Sequence, residues 1–173
     1  SYNTAIGNAS LGALISGSNN TAVGNTALYY NTTGATNTAV GASALQNNTT
    51  ASDNTAVGYN TLKVNTGAEN TAIGSSAMED NTTGVENVAF GESALANNTT
   101  ATNNTAIGRS ALALNTTGAS NVAVGMNSLD ANTTGDGNTA VGLDALGANT
   151  TAAANTAVGS NTLRLNTTGA SNT

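Results

Sequence analysis

The sequence contains no cysteine, histidine, proline or tryptophan, and only 7% of its 173 residues are charged. Without cysteine there is no disulfide framework. Histidine and cysteine supply the commonest catalytic bases, thiol nucleophiles and soft metal ligands, so their absence removes the usual parts of an active site. We therefore expect a protein that is not an enzyme, with no catalytic residue, no cofactor and no metal.

The scarcity of charge and of long apolar runs also argues against two kinds of partner. Lys63, Arg109 and Arg164 are too few to form the basic stripe that binds phosphates, so we expect no nucleic acid. No apolar run approaches the length of about 18 residues that crosses a bilayer, so we expect no membrane contact within this segment.

Large core side chains are scarce as well. Aromatic residues make up 3% of the chain, Ala is the commonest apolar residue, and Asn and Thr together supply 60 residues. Disordered chains usually combine low hydrophobicity with high net charge, whereas the net charge here is only −6. Such a chain must bury its few large side chains at regular intervals in order to fold.

What the sequence does contain is a repeat with the consensus N-T-A-V-G-x-x-A-L-x-x-N-T-T-G-x-x, whose positions we number 1 to 17. Nine of the ten intervals are 17 residues long and one is 16, because Asn65-Thr66-Gly67 lacks the second Thr of N-T-T-G. Residues 1–173 therefore form a single continuous array, which we expect to be a fragment of a longer fibre. The ten units begin at Asn3, Asn20, Asn37, Asn54, Asn70, Asn87, Asn104, Asn121, Asn138 and Asn155.

The first five positions predict a β-strand followed by a corner. Position 4 is always apolar and position 2 is Thr or Val, and these two positions share one face of an extended segment because side chains alternate with period two. We predict that this face is the inner one, which buries Val40 and Val57. Position 5 is always Gly, as a corner with positive φ or a close backbone approach requires.

Position 3 is Ala in all ten units, from Ala5 to Ala157. If positions 2 and 4 face inward, this column lies on a second surface that admits nothing larger, which predicts lateral packing of chains, with a homotrimer as the leading arrangement. The competing interpretation places Ala in the interior of one narrow solenoid and Thr outside.

Positions 8 to 15 predict a second strand and a second corner. Position 9 is Leu in nine units and Met78 in the other, which predicts that Leu45 and Leu62 are buried. Asn-Thr-Thr-Gly is typical of a turn. The sequence therefore predicts an all-β fold, a parallel β-solenoid of ten 17-residue coils with two short strands per coil. Stacked coils would bring equivalent Asn residues about 4.8 Å apart and allow amide ladders.

The Asn at position 12 admits two interpretations. Most such residues begin an N-x-T sequon and are possible N-glycan acceptors, whereas the structural alternative is a turn and ladder Asn that bonds to neighbouring backbone. The Thr rows allow a further possibility, ice binding, although adjacent Thr-Thr indicates two faces rather than one flat rank. The possible acceptors are Asn31, Asn48, Asn81, Asn98, Asn115, Asn132, Asn149 and Asn166.

The carboxylates do not suggest a site. A calcium-binding roll needs Asp at one fixed position of every repeat, whereas the nine carboxylates of this chain occupy many different positions. They are Asp53, Glu69, Glu79, Asp80, Glu86, Glu92, Asp130, Asp136 and Asp144.

At N-T-A-V-G and N-V-A-V-G the chain resembles the head repeats of trimeric autotransporter adhesins, and the longer pattern is similar to N-T-A-V-G…A-L…N-T-T-G arrays in phage and bacterial fibre proteins. The resemblance implies a left-handed parallel β-roll, a homotrimer and a place on a cell or virion surface. The unit is longer than that of the adhesin heads, and no stalk, anchor or chaperone domain is visible.

Together these observations predict the structural shaft of an extracellular fibre or adhesin, on a cell surface or in a phage tail fibre, which sets length and stiffness and supports attachment. Its main partner would be itself, with surface glycans or a host receptor as further partners. The alternatives are a glycan-bearing or glycan-binding fibril and an ice-binding solenoid.

Overall fold

Each repeat places its Thr-Ala-Val triplet, or a close variant of it, in a β-strand of three residues. β-Branched residues fit the pleated strand well, and the Gly at position 5 ends the strand in every coil. The structure is a computed structural model that describes residues 2–173. Its strands are β1 Thr4–Ile6, β2 Thr21–Val23, β3 Thr38–Val40, β4 Thr55–Val57, β5 Thr71–Ile73, β6 Val88–Phe90, β7 Thr105–Ile107, β8 Val122–Val124, β9 Thr139–Val141 and β10 Thr156–Val158.

The ten strands form one parallel sheet in chain order from β1 to β10. Equivalent residues pair at every step, so that Thr38, Ala39 and Val40 oppose the corresponding residues of β4. The predicted parallel stacking and the predicted all-β solenoid are confirmed. At a strand spacing of about 4.8 Å, ten coils make a rod about 48 Å long. Residues 2–173 include no helix that is long and apolar enough to cross a membrane.

The glycine at position 5 serves both purposes that the sequence suggests. Its φ is +135° at Gly41, a conformation that L side chains rarely adopt. A Cβ at Gly41 would also lie only 2.3 Å from the carbonyl oxygen of Gly58 in the next coil. The corner therefore has room for no side chain, which explains why Gly occupies this position in all ten coils.

The second predicted strand is wrong, because each coil contains one strand rather than two. The stretch that carries Leu is a succession of turns in which positions 7 and 9 have positive φ, for example +59° at Ser43 and +51° at Leu45. Non-glycine residues in this region cost of order 1–3 kcal/mol each. Hydrogen bonds between coils offset this cost. The Leu45 N–H donates to the Thr61 carbonyl of the next coil at 3.0 Å, and the equivalent bonds of the other coils are 2.9–3.1 Å long.

The apolar interior of each coil consists mainly of Ala and Leu, and the Asn side chains of positions 1 and 12 are buried beside it. Ala39, Ala44 and Leu45 have no exposed surface. Because positions 8 and 9 are neighbours and both point inward, this stretch cannot be a strand, in which successive side chains point to opposite faces. The burial of Leu45 and Leu62 is confirmed.

The predicted burial of Val40 and Val57 is wrong. Both valines are half-exposed, and the Ala between the Thr and Val of each internal strand is the buried residue. The coil is too narrow to hold Thr and Val on the inside together with Leu from the opposite wall, whereas Ala fits. The competing interpretation of position 3, an Ala that faces the interior of one solenoid, is therefore the right one, and the Ala column is not an outer surface.

Asn at position 1 joins each coil to its neighbours. The Nδ2 of Asn104 donates to the Gly118 carbonyl at 3.0 Å within its own coil and to Asn87 Oδ1 at 3.2 Å in the preceding one. Its Oδ1 accepts from the backbone N–H of Asn121 at 2.9 Å. A buried amide must have hydrogen-bond partners, and here the stacking of identical coils supplies them.

Asn at position 12 forms a second ladder that meets the first at one carbonyl. Asn115 Nδ2 donates to the Gly118 carbonyl at 2.9 Å and to Asn98 Oδ1 at 3.2 Å. The position 15 carbonyl thus accepts from both Asn columns and closes the coil. Next to it, Thr at position 13 donates its hydroxyl to the equivalent carbonyl of the following coil, as from Thr116 to Thr133 at 3.0 Å.

We expect Ala56→Asp to destabilise the fold far more than Val57→Asp. Ala56 has no exposed surface, so an aspartate there would place an unpaired charge in the core, at a cost of at least about 3 kcal/mol. The neighbouring Val57 is half-exposed, and aspartate there should cost about 1 kcal/mol. Chemical denaturation at a concentration at which the chain is monomeric measures both. Equal losses would contradict the inward orientation of Ala.

We also expect Asn104→Ala to lower the free energy of unfolding by about 2–4 kcal/mol, because the buried N–H of Asn121 loses its acceptor and a cavity remains. Asn103→Ala is the matched control. Asn103 is exposed, and the equivalent Ala154 already adopts the same positive φ, so its replacement should cost less than about 1 kcal/mol. Thermal or denaturant unfolding of both variants tests this, and a mild effect of Asn104→Ala would count against the ladder.

Candidate functional site

The outer face of the sheet is the most unusual surface of the molecule, and we call it the Thr/Val face. It consists of positions 2 and 4 of the ten coils, which are eight Thr and two Val at position 2 and six Val, three Ile and Phe90 at position 4. Phe90 is 55% exposed and Val88 40% exposed. Strand pairing holds these side chains in two straight columns with the spacing of the coils.

Charge is absent from this face. The twelve charged side chains of the chain all occupy positions 6, 7, 10, 11, 16 or 17 of their coils. Arg109 and Glu92, for example, lie one above the other at position 6 with 3.6 Å between Nε and Oε2, an exposed pair that contributes little to stability. The mostly exposed positions 6, 7, 10, 11, 16 and 17 vary and take charges, whereas positions 2 and 4 stay uncharged, as do the Thr residues at positions 13 and 14 of the N-T-T-G corner.

The position 2 hydroxyls are free to bind something other than the protein. Among the described residues, no protein partner bonds to the side chain of a position 2 Thr, in contrast to the Thr at position 13. The face therefore presents a row of unoccupied hydroxyls beside a row of branched apolar side chains. Monomeric soluble proteins rarely expose contiguous apolar patches larger than a few hundred Å², which makes this face the best candidate for a contact surface.

The structure argues against the glycan interpretation of position 12. The side chains of Asn31, Asn48, Asn81, Asn98, Asn115, Asn132 and Asn149 have no exposed surface.

The Nδ2 atoms of these seven residues point into the coil, as that of Asn81 does when it donates to Gly84 at 3.0 Å and to Asn65 at 2.6 Å. A sugar on such a nitrogen would displace these bonds and the neighbouring coil, so it is incompatible with the folded array. Asn166, in the last coil, is half-exposed, and its Nδ2 donates to Gly169 at 2.8 Å. The ladder alternative describes what position 12 does.

A shallow notch lies on another side of the rod, where Gly147 interrupts the column between Asp130 and Arg164. It has a volume of about 360 Å³ and is also lined by Asp144. The pKa of the Asp130 carboxyl is raised above its usual value, chiefly by burial. The nearby Asp144 carboxylate also raises this pKa, whereas a hydrogen bond to the backbone of Asp130 lowers it. Two half-exposed carboxylates do not make a binding site, and residues 2–173 bring together no group of three or more acidic side chains that could hold a metal ion.

The sequence pattern identified the residues of the Thr/Val face as one face of the strand, but the prediction placed that face on the inside of the coil. One signal could have corrected this assignment. An Ala that never varies is typical of an interior with no spare volume, whereas position 4 accepts Val, Ile and Phe90, which differ widely in size. A column that tolerates this range of volume has free space beside it, as a surface does.

Comparison of the chain with protein-family models, with curated proteins and with solved structures gave no match.

Proposed function

We propose that this chain is a structural shaft, the repeat segment of an extracellular fibre or adhesin on a cell surface or in a phage tail fibre. The single observation that supports this most strongly is the translational regularity of the array, in which one parallel sheet in full register joins each coil to the next. Such a rod grows by a fixed length per repeat, so the number of repeats sets its length. The N-T-A-V-G array of this chain resembles the arrays of phage and bacterial fibre proteins, and this resemblance supports the extracellular location.

The rod has features that suit a load-bearing shaft. Two buried Asn ladders, one Thr ladder and one continuous sheet run parallel to its axis. At a junction that has all four rows, stretching would have to break bonds in every row, which makes the rod stiff there. The proposal assigns the chain no enzymatic role, in keeping with its lack of histidine and cysteine.

The partner in this proposal is another copy of the chain, laterally packed, with a homotrimer as the arrangement that the adhesin resemblance favours. The Thr/Val face is the surface that supports lateral packing, in place of the Ala column that the sequence alone had suggested. A second copy offers the same columns at the same spacing of about 4.8 Å, so that every coil meets an equivalent coil. Surface glycans or a host receptor would then bind elsewhere on the fibre.

We expect the protein to be an oligomer at micromolar concentration. A homotrimer would have a molar mass three times the 16.7 kDa of one chain. Val57→Asp should lower the molar mass towards that of one chain, because it places a charge in the middle of the Thr/Val face. Light scattering coupled to size-exclusion chromatography measures the mass.

Thr50→Asp is the matched control, since Thr50 is exposed at the N-T-T-G corner, away from this face. It should leave the molar mass unchanged. A wild-type protein that remains monomeric at micromolar concentration would refute lateral packing, as would a Val57→Asp variant that stays folded and keeps the wild-type mass.

A specific observation supports ice as a second candidate ligand. The adjacent Thr residues of N-T-T-G had argued against a flat rank, but the eight Thr residues at position 2 form a row on the Thr/Val face, interrupted only by Val88 and Val122. Their hydroxyls bond to no protein atom in residues 2–173. Regular rows of hydroxyl and methyl groups on a flat, uncharged sheet would order water at a spacing of about 4.8 Å. This function and lateral packing exclude each other, because both need the same face.

If the chain binds ice, thermal hysteresis and inhibition of ice recrystallisation should appear in the wild-type protein and fall by at least about tenfold in Thr55→Lys. Thr50→Lys, at the corner, should retain the wild-type activity. A monomeric wild-type protein without hysteresis would remove this candidate, and an oligomer that buries the Thr/Val face would do the same.

A further inference from the structure

The junctions between coils are nearly identical at the N-T-T-G corner, and the junction of coils 5 and 6 is typical. The backbone N–H groups of Thr82 and Thr83 both donate to the Thr99 carbonyl, at 2.9 and 3.0 Å. The Thr82 hydroxyl donates to the same oxygen at 2.8 Å, and Asn98 Nδ2 donates to Asn81 Oδ1 at 2.6 Å. These four hydrogen bonds close this corner of the junction, and the Gly84 N–H adds a longer one to the Thr99 carbonyl at 3.3 Å.

The junction of coils 3 and 4 lacks all four of these bonds. Coil 4 is the 16-residue coil, in which Thr66 is followed directly by Gly67. Within residues 2–173, no hydrogen bond joins the Thr49 N–H, the Thr50 N–H or the Thr49 hydroxyl to Thr66, and Asn65 Nδ2 bonds only within its own coil, to Gly67 at 2.7 Å.

The gap leaves a buried acceptor without a partner. Asn48 Oδ1, which in a complete junction would accept from the Asn of the next coil, bonds to no group among the described residues, and the Asn48 side chain has no exposed surface. An unsatisfied buried polar group costs about 1–3 kcal/mol. The corner is therefore weaker by the lost bonds and by this penalty.

The Ala that replaces Gly in coil 3 does not account for the gap. Coil 6 has Ala101 at the same position as Ala51, yet its corner is closed, since Thr99 N–H donates to the Thr116 carbonyl at 3.0 Å. The junction of coils 9 and 10 also lacks these bonds and leaves Asn149 Oδ1 without a partner, although coil 10 has all 17 residues. Coil 10 differs from the internal coils in that no complete coil stacks on it in residues 2–173.

The opposite side of the same junction is intact. β3 and β4 pair in full register. The Thr38 N–H donates to the Asn54 carbonyl and the Gly58 N–H to the Val40 carbonyl, each at 2.8 Å. Coils 3 and 4 are thus held together along the sheet and separated at the N-T-T-G corner.

We propose that the junction of coils 3 and 4 is a built-in hinge, at which the rod opens at the N-T-T-G corner and bends about the sheet. The deletion of one residue in coil 4 creates it. The hinge is a property of the array itself and does not depend on the function of the rod.

Amide hydrogen exchange of the full chain, followed by NMR, tests the hinge within one molecule. Local opening exposes amides to exchange in proportion to its equilibrium constant. We expect the Thr49 and Thr50 amides to exchange at least about tenfold faster than those of Thr82 and Thr83. The Thr38 and Gly58 amides should stay as protected as their equivalents in neighbouring coils. Equal protection of the two corners would overturn the hinge, and fast exchange at Thr38 and Gly58 would show that the coils separate entirely.

Two variants test the cause. Insertion of one Thr between Thr66 and Gly67 restores N-T-T-G and should slow exchange at Thr49 and Thr50 to the rate of Thr82 and Thr83. Deletion of Thr100 shortens coil 6 in the same way and should transfer the fast exchange to Thr82 and Thr83. An insertion that leaves Thr49 and Thr50 exchanging fast would overturn the assignment to the missing residue. The wild-type comparison decides the hinge even if a variant fails to fold.

Discussion

The structure depends on the pairing of buried asparagine amides between identical coils. In a single coil, the Asn side chains at positions 1 and 12 would lack the hydrogen-bond partners that neighbouring coils provide. Burying these amides without those partners would cost several kcal/mol. Stacking satisfies them, because Asn104 takes one partner from its own coil and others from the coils on either side. Folding is therefore possible only as an array, which is the general behaviour of repeat proteins.

The asparagine ladders also determine how narrow the coil is. Both columns converge on the position 15 carbonyl, which pulls the two ends of the coil together and leaves an interior that holds little besides Ala, Leu and the Asn side chains themselves. So narrow a coil has no space for Thr and Val on the inner side of the strand. These branched side chains face outward, where they form the uncharged Thr/Val face, so a constraint on the interior produces the main candidate contact surface.

Because the array is regular, the loss of one residue in one coil weakens one junction and is not compensated elsewhere. In a globular core the loss of one residue is absorbed by rearrangement in three dimensions, whereas here each coil meets only two neighbours and the equivalent bonds have no substitute. The absent Thr of coil 4 removes bonds at one corner and leaves Asn48 Oδ1 unpaired, while the pairing of β3 with β4 is unaffected. A repeat array can therefore contain a hinge without any change in its sheet.

The sequence by itself determined the stacked coils, their parallel register, the Gly corner and the Asn ladders, because each follows from identical residues recurring at one interval. Only the tertiary structure decided which face of Thr-Ala-Val is inside, since alternation with period two separates two faces but does not say which is buried. It also decided that Leu45 lies in a left-handed turn and that Asn81 is inaccessible. Those outcomes depend on the width of the closed coil, which no single repeat specifies until its neighbours are stacked on it.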